Sequence, residues 1–60
     1  MTLMLKPEEV AEELRIGRTR VFELIKSGAL VSVKIGNSRL VRAADLAAYV
    51  DSLPAESPSP

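Results

Sequence analysis

Arg15-Ile16-Gly17-Arg18-Thr19-Arg20-Val21-Phe22-Glu23-Leu24-Ile25-Lys26-Ser27-Gly28 is the stretch whose reading decides the fold. Its first three residues are a short break. Gly17 is expected to take a backbone conformation that costs other residues more, and Ile16, apolar inside a turn, to plug the core between two helices. A helix is expected from Arg18 to Ser27, about 15 Å long at roughly 1.5 Å per residue. Val21, Leu24, Ile25 and the adjacent Phe22 supply its buried stripe, and Gly28 is its expected stop.

Upstream, Pro7 to about Leu14 reads as another helix. Pro7 suits the first helical position, Glu8 and Glu9 complement the positive end of the dipole, and Leu5 and Val10 have the spacing of a hydrophobic staple around Lys6, a poor N-cap. Val10, Ala11 and Leu14 share one face and leave Glu8, Glu9, Glu12 and Glu13 for solvent. Two short helices around a glycine-bearing break are the sequence form of a helix-turn-helix.

Downstream, Leu30-Val31-Ser32-Val33-Lys34-Ile35 alternates and is β-branched, Gly36-Asn37-Ser38 is turn chemistry, and Arg39-Leu40-Val41-Arg42 is a second short run. Together they read as a β-hairpin with Val33, Ile35 and Val41 facing inward and Leu40 ambiguous. A third helix is expected from Ala43 to Leu53, with Leu46, Tyr49, Val50 and Leu53 at helical spacing, Asp45 near its start and Pro54 ending it. The fold class is therefore mostly α with a small β-hairpin: a winged helix-turn-helix with a two-stranded wing. The expected domain covers residues 1–53, and the Pro/Ser-rich residues 54–60 form an expected disordered tail.

A chain of 60 residues, 47% hydrophobic and 27% charged, is one ordinary globule at most. The absence of cysteine and histidine removes disulfides, thiolate metal sites, the commonest general base and the commonest metal ligand. Met1-Thr2-Leu3-Met4-Leu5 is too short for a signal peptide, and no apolar run approaches the roughly 20 residues that span a bilayer, so the expected location is the cytoplasm. Net charge is zero, yet its distribution is uneven. Arg15, Arg18, Arg20, Lys26, Lys34, Arg39 and Arg42 stand against Glu23 alone, between acidic flanks carrying Glu8, Glu9, Glu12 and Glu13 on one side and Asp45, Asp51 and Glu56 on the other. A basic middle of this kind is what a polyanion responds to; the alternative is a solvated mixed-charge surface.

Leu5-Lys6-Pro7-Glu8-Glu9-Val10-Ala11-Glu12-Glu13-Leu14, then Arg18 through Leu30, then Val33-Lys34-Ile35-Gly36, Val41-Arg42 and Asp45-Leu46-Ala47-Ala48-Tyr49-Val50, resemble in order the helices and wing of the excisionase-type, MerR-like family of winged helix-turn-helix DNA-binding proteins. The resemblance runs over residues 3 to about 53. It departs where Lys6 and Gly17 replace the Ser or Thr caps frequent in the family, where Glu23 replaces a basic or polar residue, and where Asn37-Ser38 gives the wing less positive charge.

The resemblance implies a recognition helix that enters the major groove of double-stranded DNA with Arg18, Thr19 and Arg20 in its leading turn. A guanidinium fork can bond guanine O6 and N7 or grip phosphate, and Thr19 can donate to phosphate or touch a thymine methyl. The alternative for Arg18 and Arg20 is plain surface charge. Glu23 can accept from cytosine N4 or pair with Arg20 or Lys26, the second being preferred; Lys26 answers a phosphate or its own helix dipole. On the wing the candidates are Lys34, Asn37, Ser38 and Arg39, of which Asn37 and Ser38 also serve as turn formers. Arg15 and Arg42 are candidate phosphate contacts at the flanks, or simply solvated. Phe22 and Tyr49 read as core, so single-strand binding by stacking is not expected.

No nucleophile–base pair, metal-ligand cluster or phosphate-cradling glycine loop is visible, so no catalytic residue, metal, cofactor, small-molecule ligand or enzymatic activity is expected. The first functional expectation is a phage excisionase, a recombination directionality factor that binds adjacent sites cooperatively, bends DNA and directs an integrase toward excision. Its small size favours self-association head-to-tail along DNA, with the acidic helices of one copy against the basic middle of the next. The alternatives are a minimal MerR-like transcription regulator and a protein-interaction module without DNA binding.

Overall fold

The computed structural model describes residues 2–54. Its elements are β1 (Met4–Leu5), α1 (Pro7–Leu14), α2 (Arg18–Ser27), β2 (Val33–Ile35), β3 (Ser38–Arg42) and α3 (Ala43–Ser52), a winged helix-turn-helix. The strands form an antiparallel sheet in the order β1-β3-β2. The expected tail lies, from residue 55 onward, outside the described residues.

Local signals set the helix bounds. The Glu9 carboxylate accepts the Lys6 backbone N–H at 2.7 Å, while the lysine side chain offers no acceptor in return, so only half of a reciprocal cap forms. Both partners of the expected staple are engaged: Val10 is fully buried and Leu5 packs against the core. Gly28 ends α2 at φ +87°, where any other residue would be strained.

The break between the helices differs from expectation. Gly17 sits at φ −75° and ψ 156°, ordinary extended backbone, and serves as the N-cap of α2. The left-handed residue is Arg15, at φ +61°. The Ile16 N–H donates to the Ala11 carbonyl at 3.0 Å and the Arg15 N–H to the Glu12 carbonyl at 3.3 Å. This is the Schellman pattern, and it turns the chain so that Ile16 folds back against the core. Burying Ile16 thus requires the residue before it, not the glycine after it, to adopt positive φ.

The hairpin is also shifted. Its turn is Gly36-Asn37, with Gly36 at φ +61° and Ser38 already paired to Ile35. Positive φ at the first central residue alone is the type II′ arrangement that suits strand twist. The first strand is short: Leu30 is not in it but is buried at 1% exposure, and Val31 lies exposed. Val33 pairs with Leu40 and both are half-buried, whereas Val41, on the opposite face of β3, is fully buried. Ile35, expected inward, is 59% exposed because it stands beside the turn, beyond the reach of the core. β1 was not expected: Met4 pairs with Arg42 and Leu5 with Val41 on the other edge of β3.

The core unites Val10, Ala11, Val21, Leu30, Val41 and Leu46, with Leu5, Leu14, Ile16, Leu24, Ile25 and Tyr49 packed against it. Phe22, expected among them, is 40% exposed. One helical step of about 100° beyond Val21 carries it off the face that Val21, Leu24 and Ile25 share and onto the side of Arg18 and Lys26. Along α3, Leu46 is buried and Tyr49 half-buried, but Val50 is exposed. Leu53 lies past the helix end with extended φ and ψ, the conformation that a following proline favours.

Gly17 has no side chain to cap α2, and a Cβ there would meet nothing within 4 Å. Gly17→Ser is therefore expected to stabilise the fold by about 0.5–1 kcal/mol, from a new cap bond and a less flexible unfolded chain. Thermal melting by circular dichroism should show a rise of roughly 2–8 °C; an unchanged or lower midpoint would show that this helix start gains nothing from a capping hydroxyl.

Candidate nucleic-acid interface

The N-terminus of α2 is open. No side chain caps it, and the Gly17 carbonyl accepts the Arg20 and Val21 N–H groups at 3.1 and 3.2 Å, which leaves the earlier first-turn N–H groups without an intrahelical partner. Arg18, Thr19, Arg20, Glu23 and Lys26 are all exposed on this helix. Thr19, Glu23 and Lys26 point most directly away from the core face set by Val21, Leu24 and Ile25. Arg20 and Glu23 approach to 3.6 Å, with both side chains more than half exposed, so the pair is worth at most a few tenths of a kcal/mol. That geometry matches the ion-pair reading of Glu23.

On the hairpin, Lys34, Asn37, Ser38 and Arg39 are exposed as well. Lys34 stands directly opposite Arg39 across the β2–β3 ladder. Like charges facing each other across strands destabilise a hairpin, and a nearby anion relieves them. Arg39 donates to the Ser32 hydroxyl at 3.1 Å, a partner seven positions away that no local signal announces. Between helix and hairpin lies a hollow lined by Phe22, Ile25, Lys26 and Arg39. It adjoins a second one, which Phe22 and Arg39 also line, bordered on the wing side by Asn37, Ser38 and Leu40 and on the α1 side by Lys6, Pro7 and Glu8. The fold thus brings Lys26 of α2 and Arg39 of the wing to one depression.

Two candidates stand apart from it. Arg15 is exposed at the interhelical turn. Arg42 lies at the far end of β3 from the turn and donates from Nε to the Asp45 carboxylate at 2.6 Å, so it is tied down rather than simply solvated. Phe22 is the surface residue that sequence reasoning missed. Its signal was its spacing, four residues from both Arg18 and Lys26, which puts an aromatic ring in a row of cations. The Arg18 guanidinium carbon lies 5.9 Å from the centre of that ring, at the outer reach of a cation–π contact.

No ionisable side chain is buried among the described residues, and no acidic cluster there is arranged to hold a metal. No described helix is long and apolar enough to cross a membrane. A family model described as a helix-turn-helix domain matches residues 4–54, which takes in every helix and strand of the structure. No curated protein and no solved structure matches the chain.

Arg42 and Asp45 flank the start of α3, and the Asp45 carboxylate sits in its first turn with only 20% of its side chain exposed. Asp45→Ala removes both the pair and the favourable charge at the helix dipole and is expected to cost about 0.5–1 kcal/mol. A urea titration would register this as a lower midpoint with unchanged slope. No shift in midpoint would mean that Arg42 gains as much from solvent as from Asp45.

Proposed function

Because the chain belongs to the helix-turn-helix domain family and is a DNA-binding domain, we propose that it acts as an excisionase, binding adjacent duplex sites, bending the DNA and directing an integrase toward excision, without a catalytic step of its own. The observation that carries this reading is the division of the surface. Exposed cations gather on α2 and the hairpin, while α1 and α3 present acidic side chains.

In the proposed complex α2 enters the major groove, with Arg18, Thr19 and Arg20 leading and Glu23 and Lys26 behind. The hairpin lies at the adjacent minor groove, where Lys34 meets its negative potential, Arg39 grips phosphate at the groove's edge, and Asn37 and Ser38 contact the backbone. Arg15 and, on leaving Asp45, Arg42 take flanking phosphates. The protein works in the cytoplasm of a bacterial cell, at the DNA.

One such domain has a small interface, on the order of 600–1,000 Å², so affinity and specificity gain from neighbouring copies. A groove between β1, α1 and α3 supports a contact of that kind. Leu5, Leu14, Leu46 and Val50 line it, and Glu13 and Asp51 are its acidic side chains. It shares no residue with the α2–hairpin depression. Its acidic character matches the basic middle of a second copy in a heterologous, head-to-tail arrangement, whereas two copies of the same acidic face would repel.

The test is a gel-mobility titration of a duplex carrying a candidate attachment site, beside an unrelated duplex, at two salt concentrations. The expected result is a salt-steep, sequence-selective ladder of cooperative steps. One discrete shifted band would favour a minimal MerR-like regulator acting as a fixed dimer. No binding to either duplex at low salt would sink the DNA-binding role. In the same assay, Glu12→Lys with Glu13→Lys should flatten the cooperative steps and leave single-site affinity within about twofold, since neither residue lies on the proposed DNA face. Full cooperativity in that variant would remove α1 from the contact between copies.

A further inference from the structure

We propose that the depression between α2 and the hairpin seats one sugar–phosphate strand of the duplex, with the Phe22 ring packed on a deoxyribose and Arg18, Lys26 and Arg39 on the phosphates beside it. The inference rests on the docking just described and deepens it. A domain with a helix in the major groove and a wing at the neighbouring minor groove must straddle the backbone ridge that separates them. The surface lying between helix and wing is the depression lined by Phe22, Ile25, Lys26 and Arg39.

The chemistry of that surface is specific. Its apolar part is Phe22 and Ile25, with Leu40 where it continues toward the wing. Its polar part is cationic: Lys26 and Arg39 in the hollow, with Arg18 over the Phe22 ring at 5.9 Å. Among the described residues no acidic side chain lines the hollow beside Ile25; where the surface continues toward the wing, Glu8 of α1 borders it together with Lys6. A nucleic-acid strand offers the complement, apolar sugar faces alternating with phosphate anions. A peptide strand would bring unsatisfied backbone polar groups against an apolar floor.

Phe22 stands 40% exposed, with Arg18 over its ring and Lys26 and Arg39 lining the same hollow. Packing it on a sugar removes apolar surface from water without releasing any counterion. Phe22 then contributes affinity that depends on neither salt nor sequence, while the cations around it contribute the salt-dependent part.

The experiment uses a duplex selected by the full chain from a randomised pool, with an unrelated duplex beside it, titrated at several salt concentrations. Phe22→Gln keeps the length and helix-forming tendency of the position but not its apolar surface. It is expected to weaken both duplexes by the same factor, roughly tenfold, with an unchanged slope of log affinity against log salt. Arg39→Ala should instead flatten that slope by about one phosphate's worth. Phe22→Leu, which keeps most of the apolar contact, should retain most of the affinity.

Loss confined to the selected duplex, and abolished when one of its thymines is replaced by deoxyuridine, would overturn the proposal in favour of a base contact. Unchanged binding by Phe22→Gln would overturn it outright. Circular dichroism melts of both Phe22 variants separate these results from a folding defect: a uniform loss that tracked a lowered melting midpoint, and was shared by Phe22→Leu, would assign the ring to the fold and overturn the proposal. Failure of the wild-type chain to bind any duplex is a different result, since it removes the docking itself.

Discussion

Everything in this fold leans on β3, the strand that pairs on both edges. Its first half pairs with β2 and carries the hairpin out from the body, and its second half pairs with β1 and closes the base of the sheet. Val41 is the hinge of that division: it is fully buried, it faces Leu5 across the ladder, and it joins Val10 and Leu46 in the core. The chain then passes without a loop into α3. The Ala43 N–H donates to the Leu3 carbonyl at 2.8 Å, so the strand that anchors the wing also anchors the N-terminal segment. The helix proposed to read DNA packs chiefly on α1, through the core that includes Val10, Ala11 and Val21. The spacing between recognition helix and wing is thus transmitted from β3 through α1 to α2, and any loss of packing at Val10 or Val41 would change it.

What could be read from residues alone follows the range of the forces involved. Pro7, Gly28 and Pro54 act on their own neighbours, and the helix ends they mark agree with the structure to within a residue. Long-range pairing is harder to see. Met4-Leu5 is too short to declare itself a strand and becomes one only because β3 offers a free edge. Leu30 opens the alternating, β-branched run, yet it is a core residue outside the strand, since the residues after Gly28 must first cross the end of α2. Conformational preference alone assigns the left-handed residue to Gly17. The tertiary demand to bury Ile16 assigns it to Arg15 instead.

Apolarity was the least faithful guide. Phe22, Ile35, Val50 and Leu53 all sit in convincing patterns, and all are exposed. A domain of this size has too little interior for every apolar position that periodicity nominates, so pattern identifies candidates and volume decides among them. The polar side fared differently. Arg15, Arg18, Thr19, Arg20, Glu23, Lys26, Lys34, Asn37, Ser38, Arg39 and Arg42 are all at the surface. Which of them share a depression was not legible, because Lys26 and Arg39 are brought together only by hairpin and helix packing on a common core.

The distribution of charge ties stability to binding. The free domain keeps Lys34 opposite Arg39 and leaves Arg18 and Lys26 without an acidic partner among its described ion pairs. Each like-charge approach costs a few tenths of a kcal/mol in a fold whose total stability is on the order of 3–9 kcal/mol. A polyanion that removes this repulsion binds the folded state and not the unfolded one, so it adds RT ln(1 + [L]/Kd) to stability, about 2.7 kcal/mol at a hundredfold excess over Kd. For a core as small as this one, that increment is a sizeable fraction of the whole. A surface that looks poorly optimised in isolation is then consistent with a domain whose most stable form is the one on DNA.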